Sequence, residues 1–258
     1  MKVWITGASS GIGEACALRY ASLGASLVLT SSNEARLRAV AARCAGAASV
    51  TVMVYDFSNP DGVETLVNTA WTACGGIDIA FLNAGISQRT SIVDTTMDMV
   101  RKIMEIDYFA PVAAARALLP LMLGAGGGSI AVTSSIAGRF GFPLRCAYSS
   151  AKHALYGFFE TMQAEYGDRG IHVTIVCPGR VNTNISFASL DKGGRPHGVM
   201  DPGQASGMSA EAAARKIVKA VARRRREVLV GRGELAMVYV KRFFPGLCAR
   251  LSKRLRPV

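Results

Sequence analysis

Tyr148 and Lys152 stand four positions apart in the stretch YSSAK, with only Ser149, Ser150 and Ala151 between them. In a helix, positions i and i+4 lie on one face, one above the other. The phenol and the ammonium then share one space. Reducing a carbonyl requires a proton at an oxygen that gains negative charge. A free tyrosine, with a pKa of about 10, is a poor donor at neutral pH. An ammonium about 4 Å from a phenolate, at an effective dielectric near 20, stabilises it by roughly 4 kcal/mol. That is about three pKa units, enough to bring such a phenol near neutrality. Many ordinary helix surfaces carry a Tyr and a Lys at this spacing, so the pair needs company to mean chemistry.

The company comes from the elements around it. Seven short apolar runs read as strands: 2–6, 26–30, 49–55, 78–83, 129–135, 172–177 and 227–231. They are rich in Val, Ile and Leu and continuous rather than alternating, as expected of strands buried on both faces. Helical patterns fill the gaps at 12–23, 33–44, 60–73, 96–123, 148–167 and 209–223, with a bend or break expected near Asp107. Alternation of this kind predicts an α/β domain, a doubly wound parallel sheet with helices on both faces.

Directly after the first strand comes TGASSGIG, Thr6 to Gly13. Its glycines permit a tight turn and close backbone approach. The helix that follows offers free N–H groups and a positive dipole end to a phosphate. Three further stretches fall at strand C-termini, where open parallel sheets bind ligands. They are YDF (Tyr55–Phe57), NAG (Asn83–Gly85) and PGRVNT (Pro178–Thr183). Any one of them could be an ordinary turn; together they mark one edge of the sheet as a site.

TGxxxGxG, NAG, a serine at the end of the fifth strand, YxxxK and PGxxxT together resemble the short-chain dehydrogenase/reductase family, from Lys2 to about Gly231. The resemblance implies a Rossmann-like fold and hydride exchange between a nicotinamide dinucleotide and an alcohol or carbonyl. It places Gly7, Ser9, Ser10, Gly11, Ile12 and Gly13 around the pyrophosphate and ribose, and Asp56 and Phe57 near the adenine. It puts Asn83, Ala84 and Gly85 along the adenosine side, and Pro178, Gly179, Val181 and Thr183 at the nicotinamide. Tyr148 becomes the general acid/base. Lys152 tunes it and grips the nicotinamide ribose. Ser135, thirteen residues before the tyrosine, hydrogen-bonds the substrate oxygen, with Ser134 as the weaker candidate. Relatives usually carry an asparagine where this chain has Asp107, in IDYFA. A carboxylate there, close to Lys152, is expected to slow or retune the proton relay.

The end of the second strand reads LTSSNEARL. An acid there would hold the 2′-hydroxyl of NAD; an arginine would accept the 2′-phosphate of NADP. Neither stands at Ser31 or Ser32. A 2′-phosphate would meet hydroxyls, Ser32, Asn33 and Arg36. The missing carboxylate favours NADP(H), with NAD(H) as the alternative.

Composition limits the remaining classes. The chain has 258 residues, half of them apolar, which suits one globular core. The closest two of its six cysteines are 28 positions apart, so no metal-ligand spacing occurs and reduced thiols are expected. No run of 18 apolar residues predicts an ordinary transmembrane helix, and the opening MKVWITG reads as a strand rather than a signal peptide. These points suggest a cytoplasmic protein. The net charge of +12 sits after Glu211, where fourteen Lys and Arg face two acids; the first 211 residues carry sixteen of each. Nucleic-acid binding lacks any reader motif.

Residues 184–208 read as a mobile loop, a lid or a surface excursion shaping the substrate pocket. The segment 234–258 reads as a basic amphipathic extension of the 1–233 domain. Leu247, Leu251 and Leu255 recur at i+4 among Arg250, Lys253, Arg254 and Arg256, with Phe243 and Phe244 upstream. Such a segment lies in a membrane interface, here the inner face, or packs on protein. The part from Asn182 onward resembles relatives that act on lipid-like or steroid-like carbonyls. Together these imply an apolar small-molecule substrate and, from the family, a homodimer or homotetramer. The competing reading is a non-catalytic dinucleotide-binding or membrane-associated scaffold.

Overall fold

The computed structural model describes residues 1–253; Arg254, Leu255 and Arg256 of the tail pattern lie outside the described residues. Seven parallel strands form the central sheet: β1 (Lys2–Thr6), β2 (Ser26–Ser31), β3 (Ser49–Val54), β4 (Ile79–Leu82), β5 (Gly128–Thr133), β6 (Ile171–Pro178) and β7 (Glu227–Val230). Their spatial order is β3-β2-β1-β4-β5-β6-β7. The order reverses between β1 and β4, and the crevice at such a switch point is where open α/β sheets take ligands.

Both sheet faces are apolar and each has its own helices. Val3 and Ile5 point to the face covered by α1 (Gly11–Ala21), α2 (Glu34–Arg43) and the helix Ala210–Ala222. Trp4, between them, points to the other face, covered by α3 (Val63–Cys74), α5 (Ala110–Gly124) and α6 (Cys146–Tyr166). The two-residue alternation of a strand explains the split. Trp4 is fully buried, and its indole N–H donates to Thr30 Oγ1 at 2.9 Å.

The bend expected near Asp107 is a π-helical turn, Glu105–Phe109, between α4 (Met97–Met104) and α5. The combined helix Met97–Gly124 is, contrary to the expectation, long and apolar enough to cross a bilayer by length and composition. Its apolar stripe has another use: Ala110, Ala114, Leu118 and Met122 are buried against the sheet. All six cysteines are free thiols.

Residues 184–208 are tied down rather than loose. The segment holds two short helices, Ile185–Ala188 and Pro202–Ala205, and buries Ser186, Ser189 and Asp201. Arg89 N–H donates to Leu190 O, and Leu190 N–H donates to Ser87 O, both at 2.8 Å. The tail forms two helices, Ala236–Phe243 and Pro245–Ser252. Cys248 is buried with Ile136, Phe140 and Cys177, while Met237, Val238 and Val240 pack around them. The opposite side leaves Phe243, Phe244, Tyr239 and Leu247 exposed. Packing and exposure therefore share one segment. Arg223 to Arg226 are exposed at a helix end, as cations favour there.

Candidate active site

The ends of β1, β4 and β5 are fastened together before any ligand is considered. Thr6 Oγ1 accepts the backbone N–H groups of Asn83 (2.9 Å) and Ala84 (3.1 Å). The Asn83 amide donates to Thr6 O and Gly7 O at 3.3 and 3.4 Å, and its carbonyl accepts Thr133 Oγ1 at 3.0 Å. Asn83 thus lines the site while its side-chain polar atoms serve the scaffold.

A cleft of about 450 Å³ runs along these strand ends. It is lined by Gly7, Ser9, Ser10, Gly11, Ile12, Ser32, Asp56, Phe57, Asn83, Ala84, Gly85, Asp107, Ser135, Tyr148, Lys152, Pro178, Gly179, Val181 and Thr183. These are the residues picked from sequence, with two exceptions.

Gly13 lies behind the wall. A Cβ there would meet Gly7 O at 2.2 Å, so its role is to let α1 press against the glycine turn. Asn33 is the N-cap of α2, its Oδ1 accepting Arg36 N–H at 3.0 Å. It holds the helix and does not reach the cleft; Arg36 and Ser31 do.

The glycine turn fits a dinucleotide phosphate. Gly7 and Gly11 have φ of 65° and 59°, in the left-handed region that side chains disfavour. A Cβ on Gly11 would press Thr183 Cγ2 at 3.0 Å across the cleft. Ser10, the N-cap of α1, makes no side-chain capping bond, which leaves the first-turn amides to face a ligand.

At the other end, Tyr148 and Lys152 sit on α6 and are both buried. The Lys152 ammonium lies 5.7 Å from the Tyr148 ring centroid, so the two do share one space. Lys152 Nζ donates to Thr133 O at 2.9 Å and lies 3.0 Å from Asp107 Oδ2. Asp107 has no solvent exposure, and its Oδ1 accepts Ile86 N–H at 2.8 Å. Burial pushes the Asp107 carboxyl above its usual range, against the opposing pull of Lys152 and the Ile86 amide. Gly85 makes room for the pair: a Cβ there would come within 3.1 Å of Asp107 Oδ2 and 3.3 Å of Lys152 Nζ.

The two serines divide their duties. Ser134 Oγ donates to Lys152 O at 2.9 Å and serves the scaffold. Ser135 Oγ accepts Ala137 N–H at 3.2 Å and donates to Pro178 O at a long 3.4 Å, a bond that a substrate oxygen can displace.

Sequence reasoning missed Gln88, Arg89, Arg145 and Asp201. Gln88 Oε1 accepts the N–H groups of Ala147 (2.9 Å) and Tyr148 (3.2 Å), which caps the helix that carries the tyrosine. Arg89 donates through Nε to Asp201 Oδ1 and Oδ2 at 3.3 and 3.1 Å, which anchors the 184–208 segment whose Ile185, Ala188 and Gln204 line the cleft. Arg145 Nη2 reaches the same carboxylate at 3.2 Å. These partners are separated by up to 112 residues, and no local pattern announces them. Glu234 lines an adjoining side cavity and accepts Arg180 N–H at 2.8 Å and Arg232 N–H at 3.1 Å.

Comparisons with known proteins point to one family. The family described as short chain dehydrogenase matches residues 1–192. The chain is 36% identical over 255 residues to "Dehydrogenase/reductase SDR family member 7B" of Mus musculus, covering 96% of this chain and 79% of that protein. It is 33% identical over 245 residues to "Dehydrogenase/reductase SDR family protein 7-like" of Drosophila melanogaster, covering 93% and 75%. Among solved structures it is similar to a short chain dehydrogenase/reductase from Burkholderia phymatum in complex with NAD. The TM-score is 0.84, with 27% identity and 100% and 96% of the two chains covered. An alcohol dehydrogenase from Thermococcus sibiricus, complexed with 5-hydroxy-NADP, shares the fold at TM-score 0.74 and 23% identity, with 89% and 95% covered. This chain belongs to the short-chain dehydrogenase/reductase family of nicotinamide-dependent oxidoreductases.

Proposed function

We propose that this enzyme reduces an apolar ketone or aldehyde, or oxidises the matching alcohol, with Tyr148 as general acid/base. The observation that carries the reading is the buried meeting of Tyr148 and Lys152 on one helix face, in a cleft that also holds Ser135 and the glycine turn. Bound nicotinamide would supply the hydride to the carbonyl carbon. Ser135 donates to the carbonyl oxygen, and Tyr148 gives that oxygen its proton; solvent later returns a proton to the phenolate. Lys152 favours the phenolate electrostatically. Asp107 offsets part of that charge, so the relay is retuned rather than lost.

NADP(H) is the preferred cofactor in this reading. Ser31, Ser32 and Arg36 line the adenosine end, so the end of β2 offers hydroxyls and a guanidinium to a 2′-phosphate, and the carboxylate on that side, Asp56, comes from the end of β3 instead. Ile86, Ile106 and Ile185 give the other end an apolar lining, in keeping with an apolar substrate. The exposed Phe243, Phe244 and Tyr239 on a basic tail support peripheral contact with an anionic membrane from the cytoplasmic side. Pairing of two or four copies through α4–α5 and α6 completes the proposal.

The test is a titration of NADPH against NADH with the intact protein and Tyr148→Phe in parallel, followed by turnover of apolar ketones. Tight NADPH binding by both proteins with turnover only by the first is expected. Turnover by Tyr148→Phe at the unaltered rate would remove the acid/base assignment.

A further inference from the structure

The wall of the cleft next to Tyr148 carries more positive charge than it can satisfy. Arg89 and Arg145 share one carboxylate, Asp201, and all three are largely buried, at 2%, 16% and 3% side-chain exposure. Arg89 is well provided for: besides Asp201 it donates to Gln88 O at 2.7 Å and Ser87 Oγ at 3.2 Å. Arg145 is not. Its Nε–H is buried and finds no acceptor among the described residues.

Among the described residues, the other carboxylates that line the cleft and its side cavity are engaged elsewhere: Asp107 with Lys152, Asp56 with Ser58 N–H, and Glu234 with the backbone N–H groups of Arg180 and Arg232. Arg180 adds a third guanidinium, close against Gly203 on the same side cavity that Arg145 and Asp201 line. Burial first, and Arg89 second, lower the Arg145 pKa to about 10, which still leaves it charged at neutral pH. A buried cation with an unused donor costs stability unless a ligand offsets it.

Its backbone points the same way. Leu144, just before Arg145, has φ of 61°, left-handed and strained for a branched side chain. Leu144 O accepts Thr90 N–H at 3.2 Å, which holds the strained turn in place. The turn delivers Arg145 to the cleft wall three residues ahead of Tyr148.

We infer that Arg145 binds an oxyanion on the substrate, a carboxylate or phosphate-type group carried a few bonds from the reacting carbonyl. The apolar substrate proposed above is then an amphiphile, and this inference rests on that reading. The guanidinium Nε–H and charge fix the anionic head, and Tyr148 meets the carbonyl next to it.

Three ketones with one skeleton separate the possibilities: 4-decanone, 4-oxodecanoate and 3-oxononylphosphonate, each reduced at saturating NADPH. The expected result is a higher kcat/KM for one or both anionic ketones, and the favoured anion identifies its source as carboxylate or phosphate-type. In Arg145→Met the anionic-to-neutral ratio should fall by about 10- to 100-fold, the scale of a lost charge-assisted hydrogen bond. Arg145→Lys should restore part of it. Equal preference in the intact protein, or an unchanged ratio in Arg145→Met, overturns the inference.

If no ketone turns over, the proposed reaction fails but the anion site is still read directly. Calorimetry of the intact protein with NADP bound would compare octanoate and octylphosphonate with 1-octanol. Anion binding that exceeds alcohol binding supports the site; no such difference rejects it. The same comparison decides the matter if Arg145→Met does not fold.

Discussion

The two halves of the cleft are built from different materials. The cofactor end is made of backbone: the glycine turn, the open first turn of α1, and strand ends fastened through Thr6, Asn83 and Thr133. The substrate end is made of side chains drawn from distant parts of the chain: Arg89 and Arg145 around the Asp201 carboxylate, with Gln88 capping α6. Backbone amides can bind a phosphate whatever side chains stand beside them. Side chains can be exchanged one at a time, so this is the end where specificity changes.

Substitutions at the two ends should therefore fail in different ways. The largest effect is expected at the reacting atom itself. Tyr148→Phe should cut kcat by about 10³-fold, within the range for losing a general acid, while cofactor affinity measured by fluorescence titration stays close to that of the intact protein. At the cofactor end, Gly13→Ala must push its methyl into Gly7 O, so cofactor binding and folding should be lost together. Thermal melts with and without NADPH would show a lowered Tm and no ligand-induced shift.

Asp201→Asn leaves two buried guanidinium groups facing a neutral amide. Breaking a buried pair costs about 3–5 kcal/mol, and urea denaturation should register it. Cofactor affinity should change far less, because Asp201 touches only the substrate end. Equal losses of both would mean that the halves are one cooperative unit.

Asp107→Asn gives a smaller, pH-dependent effect. The folded carboxyl is raised above its ordinary 3.8, so over that interval the folded state keeps a proton that the unfolded chain has shed. Stability then declines as pH rises through the interval and is highest below it. The amide that replaces the carboxyl cannot titrate, so the fall of Tm with rising pH just above the ordinary carboxyl range should flatten. The same substitution frees Lys152 of its counter-charge, and kcat measured at neutral pH should change with it. The smallest effect is expected farthest from the cleft. Phe243→Ser with Phe244→Ser should reduce pelleting with anionic vesicles and leave turnover of a soluble ketone intact. Equal pelleting would assign those aromatics to another protein surface.

The same division explains what could be read in advance. Strand runs such as KVWIT and the glycine turn are local, with each residue's role set by neighbours a few positions away, so the sheet and most of the cleft were legible. Ser135, Tyr148 and Lys152 could be picked out because the strand end and the helix face that carry them are themselves local features. Asn33 was misread because a helix cap and a phosphate ligand draw on the same polar residues at the same strand-to-helix junction. Arg89 and Asp201 stayed hidden because only the finished fold brings them together.

The π turn at Glu105–Phe109 links the site to the core in a way that bears on insertions and deletions. A π turn accommodates one residue more than the α-helix around it. Each helical residue advances the side-chain direction by about 100°. An extra residue in an ordinary helix would turn everything after it by that angle; here the wide turn takes the residue up locally, and α4 and α5 stay in phase across it. Removing one residue from the turn would therefore restore plain α-helix and keep Ala114, Leu118 and Met122 on the sheet, while Asp107 would lose its place beside Lys152. The same deletion farther along α5, where no wide turn compensates, would swing those three side chains off the sheet. The turn works as a splice: the core can do without it, and the chemistry at Asp107 depends on it.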